Sequence, residues 1–228
     1  MFAEAGSTRR SELVRSYHRD GYVVVRQVLS PATLRACREH LDRLSGTCAV
    51  AGSILAAPLA QDRFLAGIAR GRGLTDIAAS LLGARPEPFA ATYIVKPPRR
   101  GLPAFWHQDG HPWQQRLGIT SAVTLWIALD PVDRANGGLC VVPGSQGLEA
   151  KPLRPRPDQP SVFGAEIDPL LVDTGRATAL QLAPGDLSAH GPRLIHGSPP
   201  NRSARLRRAL AVRYRPAPIG RRSASAVW

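Results

Sequence analysis

Two textures divide the chain. Through about residue 85, apolar positions recur at helical spacing. Leu34, Cys37, Leu41 and Leu44 share one face after Ser30-Pro31, a capping hydroxyl followed by proline at the first helical position, which predicts an amphipathic helix over 31–44. Leu74, Ile77, Ala78, Leu81 and Leu82 repeat the pattern, and Gly83 stands where a left-handed C-cap is needed. A shorter helix is expected between Ser11 and Arg19, and Gly21 to Gln27, with Tyr22 and three valines, reads as a strand. From Pro86 the pattern changes to short apolar runs punctuated by proline and glycine, at 89–96, 121–129, 138–142, 178–182, 193–196 and 206–214, the texture of a β-sandwich or small barrel. Between Gly144 and Thr178, Pro152, Pro155, Pro157, Pro160 and Pro169 break any period. Strands resume afterwards, so about 145–177 reads as a lid loop over a site rather than a linker. No boundary separates two cores, and the expected organisation is one domain over 1–228, helical to about 85 and β-rich over about 86–216.

Composition narrows the classes. With 228 residues, 43% hydrophobic and 21% charged, the chain fills one core and is no disordered tail. No run of eighteen apolar residues occurs and MFAEAGSTRR lacks a secretory pattern, so no membrane partner and a cytoplasmic location are expected. Cys37, Cys48 and Cys140 are odd in number and form no CxxC pair, which excludes a disulfide framework and a thiolate zinc site and leaves buried thiols. The net charge is +13, and Lys96 and Lys151 are the only lysines among 30 basic residues. No acid follows Asp186, whereas Arg193, Arg202, Arg205, Arg207, Arg208, Arg213, Arg215, Arg221 and Arg222 do. A compositional bias toward arginine, or an anionic ligand near the last strands, explains this. No aromatic residue interleaves the arginines of 202–208 to stack bases, so no nucleic acid is expected as partner.

The chemistry concentrates in Phe105-Trp106-His107-Gln108-Asp109-Gly110. In an extended strand, residues two apart face the same way, so the His107 imidazole and the Asp109 carboxylate converge. An HxD alone is frequent and unspecific. His196, in Arg193-Leu194-Ile195-His196-Gly197-Ser198, lies on a short apolar run and completes a set of two imidazoles and one carboxylate, which covers one face of an octahedral metal and leaves three positions open. His190 is the rival to His196.

The segments RSYHRDGYVVVRQVLSPATL, YIVKPP, WHQDG, TLWIALDPVDRANGGLCVVPGSQ and LIHGSPPNRSARLRRALAVRY, in that order, resemble the phytanoyl-CoA dioxygenase family of iron(II)- and 2-oxoglutarate-dependent oxygenases, from about Ser11 to Arg215. The resemblance implies a mainly β fold with flanking α-helices, the double-stranded β-helix (jelly-roll, cupin-like). It implies Fe(II) on His107, Asp109 and His196, with 2-oxoglutarate and O2 as cosubstrates. His190 lacks the Gly-Ser that follows the family's distal histidine. Arg207, eleven residues after His196, falls where the family binds the far carboxylate of 2-oxoglutarate. Ser198, Trp126 and Tyr93 fall at positions that support the cosubstrate, and Asn136-Gly137-Gly138 and Pro143-Gly144-Ser145 are turns that mark the fold. On 206–214, Leu206, Arg208, Leu210, Val212 and Tyr214 share one face while Arg207, Ala209, Ala211 and Arg213 share the other. Alternation alone therefore leaves open which face meets a ligand, although the two alanines beside Arg207 leave room for a slim dicarboxylate.

The implied reaction is hydroxylation of an unactivated C–H of a small molecule in specialised, natural-product metabolism, with release of succinate and CO2. Asp109 sets the chain apart from halide-accepting relatives, which carry a small residue there; desaturation, ring formation and epimerisation stay open. His111, Trp113, Phe163, Glu166 and Asp168 are candidate substrate contacts, with His111 not expected as a ligand. Two rivals make different demands. A cupin-like oxygenase or isomerase without 2-oxoglutarate gives Arg207 nothing to hold, and an Arg-rich nucleic-acid-binding module requires steeply salt-dependent binding. No feature of the chain specifies an oligomeric state.

Overall fold

The computed structural model describes residues 2–45, 54–57 and 59–218. Its helices are α1 (Phe2–Asp20), α2 (Pro31–Ser45), α3 (Arg63–Ala69), α4 (Arg72–Leu82) and α5 (Gly110–Leu117). Its strands are β1 (Tyr22–Val25), β2 (Ile54–Ala57), β3 (Pro86–Lys96), β4 (Ala104–His107), β5 (Val123–Ala128), β6 (Cys140–Val141), β7 (Leu153–Pro155), β8 (Ala165–Ile167), β9 (Thr178–Ala179), β10 (Leu187–His190), β11 (His196–Ser198) and β12 (Arg207–Pro216). A larger antiparallel sheet has the order β1-β10-β5-β12-β3-β2, and a smaller one has the order β4-β11-β6-β9. This is the expected jelly roll.

Strand alternation assigns the faces. Leu210, Val212 and Tyr214 of β12, Leu125 and Ile127 of β5, and Tyr93 of β3 pack in one cluster with Leu34, Cys37 and Leu41 of α2 and Leu74, Ala78 and Leu81 of α4. Ala209, Ala211, Trp126 and Ala128 belong to a second cluster with Val141 and Leu194, on the side of the smaller sheet. The helices therefore buttress the back of the larger sheet, and its front faces the smaller one. That resolves the ambiguity of β12 in favour of the Arg207 face.

Both anticipated helices form for the stated reasons. The Ser30 hydroxyl accepts from the Thr33 N–H at 3.1 Å, and Gly83 takes the left-handed conformation at φ 63°. The first helix is longer than expected. The following strand stops at Val25, because Gln27 turns to φ 54° with its N–H on the Asp186 carboxylate at 3.0 Å. The periodicity missed β2, α3, α5 and β10. The stretch 145–177 is also no plain loop, since β7 and β8 pair as a hairpin within it. Cys37 and Cys140 are free, buried thiols, and Cys48 lies outside the described residues.

The arginines after Asp186 divide by role. Arg205 pairs with Asp133, Arg208 with Asp130 and Arg215 with Glu87, acids from earlier in the chain, whereas Arg207 and Arg213 line the main cavity. Among the described residues, no helix is long and apolar enough to cross a membrane.

Candidate metal centre and cosubstrate pocket

β4 and β11 run antiparallel with His107 directly opposite His196, and the register sets their rings side by side with centroids 4.2 Å apart. Gly197 is required beside them, because a Cβ there would stand 2.9 Å from the Ala104 carbonyl oxygen. Each imidazole is oriented by a backbone carbonyl two residues earlier: His107 Nδ1 lies 2.7 Å from the Phe105 oxygen and His196 Nδ1 3.0 Å from that of Leu194. An N–H held at Nδ1 leaves Nε2 as the lone-pair donor on both rings.

Asp109 reaches the same point by a route the alternation argument did not foresee. β4 ends at His107, and Asp109 has helical dihedrals, φ −69° and ψ −27°, as the residue that opens α5. The pleat therefore does not bring the HxD pair together; the turn into α5 does. The Gly110 N–H bonded to the Pro192 carbonyl at 2.8 Å ties that turn to the segment carrying His196. Ligand atoms of His107, Asp109 and His196 all lie within 4.8 Å of one another, with His107 Nε2 3.8 Å from Asp109 Oδ1. Thr124 donates to Asp109 Oδ2 at 3.4 Å.

The electrostatics suit a cation. Burial works against ionisation of Asp109, but His196, Arg213 and His107 outweigh it and hold the carboxyl down to about 2. Burial, with His196 beside it, presses His107 down to about 4, so it is a neutral imidazole. One imidazole nitrogen from each histidine and one anionic oxygen are the donors that a non-haem Fe(II) takes while keeping open positions. His190 stands on β10 with its Nε2 3.9 Å from Asp109 Oδ2 and neither ring nitrogen partnered, outside the group of three.

Behind the triad the cavity runs inward to Arg207. Arg207 is 1% exposed; it donates to the Gly137 carbonyl at 3.1 Å and lies 5.4 Å from the centre of the Trp126 ring, with its Nε unpartnered. Among the described residues no carboxylate is within salt-bridge reach of it. Ser198 and Trp126 both line this cavity.

A second buried basic side chain was overlooked in the sequence. Lys96, also 1% exposed, donates to Ser198 Oγ at 2.7 Å and to the Pro199 carbonyl, and lines the same end of the cavity. Gly137, at φ 80°, lets the turn close over it, since a Cβ there would meet Lys96 Cδ at 2.6 Å. The turn read as a fold marker thus packs against both Lys96 and Arg207.

Three anticipated contacts lie elsewhere. Tyr93 points to the helical side of β3, where its hydroxyl donates to the Cys37 carbonyl at 3.2 Å and meets His40 Nδ1 at 3.1 Å. The pleat gives the site Ile94 and Lys96 instead. Tyr93→Phe is accordingly expected to leave the KM for 2-oxoglutarate unchanged and to cost about 1 kcal/mol of stability, the size of one buried hydrogen bond, by denaturant titration. Glu166 pairs with Arg154 and Arg156, and Asp168 with Arg154, so both hold the β7–β8 hairpin together rather than meeting a ligand. Phe163 does reach the site, its ring 4.7 Å from that of His107, and Trp113 lines a neighbouring outer cavity. The His111 side chain lies outside the described residues.

A sequence model of phytanoyl-CoA dioxygenase (PhyH) matches residues 17–209. The chain belongs to the phytanoyl-CoA dioxygenase family. Within curated proteins it is similar to L-proline trans-4-hydroxylase of Streptomyces griseoviridis, 28% identical over 87% of this chain and 83% of the relative. Against ectoine dioxygenase of Bordetella parapertussis it is 27% identical over 63% of this chain and 51% of the relative, so it spans about half of that enzyme. Among solved structures it resembles the non-haem α-ketoglutarate-dependent carbocyclase SnoK from nogalamycin biosynthesis, at 26% identity and a TM-score of 0.73, covering 90% of this chain and 83% of SnoK. Membership in the phytanoyl-CoA dioxygenase family carries the class of chemistry: the chain is an iron(II)- and 2-oxoglutarate-dependent oxygenase.

Proposed function

We propose that this oxygenase hydroxylates an unactivated C–H of a small molecule of specialised metabolism, in the cytoplasm, and that its partner is that substrate rather than a nucleic acid. Two of its cysteines are free thiols, as suits a reducing compartment. We read the chain as one oxygenase domain in which Val162 and Phe163, from the 145–177 stretch, cover the cavity.

His107, Asp109 and His196 hold iron(II), and Arg207 takes the far carboxylate of 2-oxoglutarate with Lys96 and Ser198 beside it. Bound there, iron and 2-oxoglutarate supply the oxidising power, coupling decarboxylation to succinate and CO2 with oxygenation of the substrate. The protein's own part is positioning and dryness. Nδ1 hydrogen bonds fix both imidazoles, Thr124 steadies the carboxylate, and the Trp126 ring lies against the Arg207 guanidinium.

One observation carries the assignment of the cosubstrate end. Arg207 is buried behind the metal ligands with no carboxylate within salt-bridge reach among the described residues, and Lys96, whose protonation an arriving anion favours, is buried beside it, so a dianion supplies the charge this end lacks. The rival without 2-oxoglutarate leaves that pair unexplained. Anaerobic addition of Fe(II) and 2-oxoglutarate is expected to raise the weak visible charge-transfer band of the chelate, and O2 consumption should match succinate release. Absence of the band, or turnover without 2-oxoglutarate, defeats the reading.

Lys96 adds a pH signature. Burial, with the Arg207 charge beside it, lowers its pKa from the ordinary 10.5 to about 6, and Cys140 is the other titratable neighbour. An arriving dicarboxylate favours the ammonium form and raises that pKa, so above about pH 6 binding takes up a proton. Affinity for 2-oxoglutarate should then fall as pH rises, by up to about tenfold per unit for one linked proton. Calorimetric titration in buffers of different ionisation heat measures the uptake. Lys96→Met should abolish it, and binding at pH 8 without proton uptake would count against this role.

A further inference from the structure

Arg213 has no part in the chemistry assigned so far. It shares a face of β12 with Arg207, with only Ala209 and Ala211 between them on that face, so six residues of strand separate the two, about 20 Å at ~3.3 Å per residue. The ladder to β3 shifts register between Arg213 and Tyr214, with Phe89 of β3 the unpaired extra residue. The Arg213 guanidinium donates from Nη1 to Thr92 Oγ1 at 2.9 Å and lies 5.7 Å from the centre of the Trp113 ring. Its Nε is buried and unpartnered, and among the described residues no carboxylate is within salt-bridge reach of it. Its charge nonetheless reaches the metal ligands, helping to hold Asp109 ionised.

Arg207 lines the inner cavity alone, whereas Arg213 lines both that cavity and the outer one. The outer space touches His107 and Asp109 and is walled by Trp113, Phe163, Leu153 and Arg116. Its lining holds two cations, aromatic faces and, among the described residues, no acid except the metal ligand Asp109. A space beside an oxidising centre with a half-sunken guanidinium that has no salt-bridge partner among the described residues favours an anion on whatever enters it.

We propose that the substrate is a small carboxylic acid and that Arg213 anchors its carboxylate. The inference rests on the oxygenase reading and names the substrate class for that site. β12 then serves as a ruler: the cosubstrate's anion sits at one end, the substrate's at the other, and the carbon to be oxidised lies between them near the metal ligands. The flat Trp113 face holds the guanidinium in place, and Phe163 closes over the substrate's apolar part.

The test uses the full chain loaded anaerobically with Fe(II) and 2-oxoglutarate, whose visible band is read first; without that band the oxygenase reading itself has failed. A library of small carboxylic acids, each paired with its primary amide, is then screened for perturbation of the band and for stimulated O2 consumption. Acids are expected to act at concentrations at least about tenfold below their amides. Arg213→Gln should erase that preference, bringing acid and amide to equal concentrations, while Arg213→Lys should keep part of it. The band in each variant shows that its fold and cosubstrate site survive. With the band present, a library in which no acid acts, amides that act as well as acids, or a preference intact in Arg213→Gln each overturns the proposal.

Discussion

Asp109→Ala is expected to abolish turnover. Asp109 is the sole anion among three ligands, so the metal would lose its only charge-matched contact. Replacing even a partner that merely orients a metal ligand costs about 10–100-fold in metal affinity or activity. Loss of the ligand itself should lie at or beyond the upper end of that range. Co(II) or Fe(II) titration measures the affinity, and succinate formation in a single turnover measures the chemistry. The variant also leaves Arg213 and His190 without their nearby carboxylate, so thermal unfolding of the metal-free protein is the control for folding. A folded Asp109→Ala protein that oxygenates at an unreduced rate would place the reaction elsewhere.

Arg207→Ala is expected to raise the KM for 2-oxoglutarate while sparing much of kcat at saturation. A charge-assisted, bidentate hydrogen-bonded pair contributes about 1.5–3 kcal/mol, and each 1.4 kcal/mol is a factor of ten, so KM should rise roughly 10- to 150-fold. The deletion also opens a void beside Trp126 and frees the Gly137 carbonyl, costs that are separated by guanidinium rescue. Added guanidinium chloride at non-denaturing concentration should restore part of the lost affinity in Arg207→Ala and none in the wild-type protein. Arg207→Lys should behave more like the deletion than like the parent, because an ammonium lacks the planar fork. An unchanged KM would leave the dicarboxylate without its anchor.

The site's identities were more legible in the sequence than its construction. His107, Asp109, His196 and Arg207 could be named because motif order fixes them, yet the pleat offered for the HxD pair is not how Asp109 arrives. A helix as short as α5 is held by its surroundings, which a single sequence does not display. Tyr93 failed by one position: strand period is two, so a neighbour of Lys96's face-mate points to the opposite layer. Which face of β12 lines the cavity could be known only once α2 and α4 were seen to cover Leu210 and Val212. Lys96 did leave a trace. In a chain that writes nearly every cation as arginine, a lysine at the end of an apolar strand departs from the habit. The prolines of 145–177 hid the hairpin because Pro155 closes β7 at its last residue, where a missing N–H is tolerated.

The pairing of His107 with His196 across β4 and β11 ties the catalytic centre to the folding of the smaller sheet. These strands are only four and three residues long, so their ladder alone supplies few hydrogen bonds. An ion gripped by both side chains would act as a rivet through this short seam of the barrel. A slip of one residue would swing one imidazole to the outside and leave the rivet nothing to fasten. Correct alignment and metal capture are therefore a single event, and a mispaired molecule would carry its own inactivation.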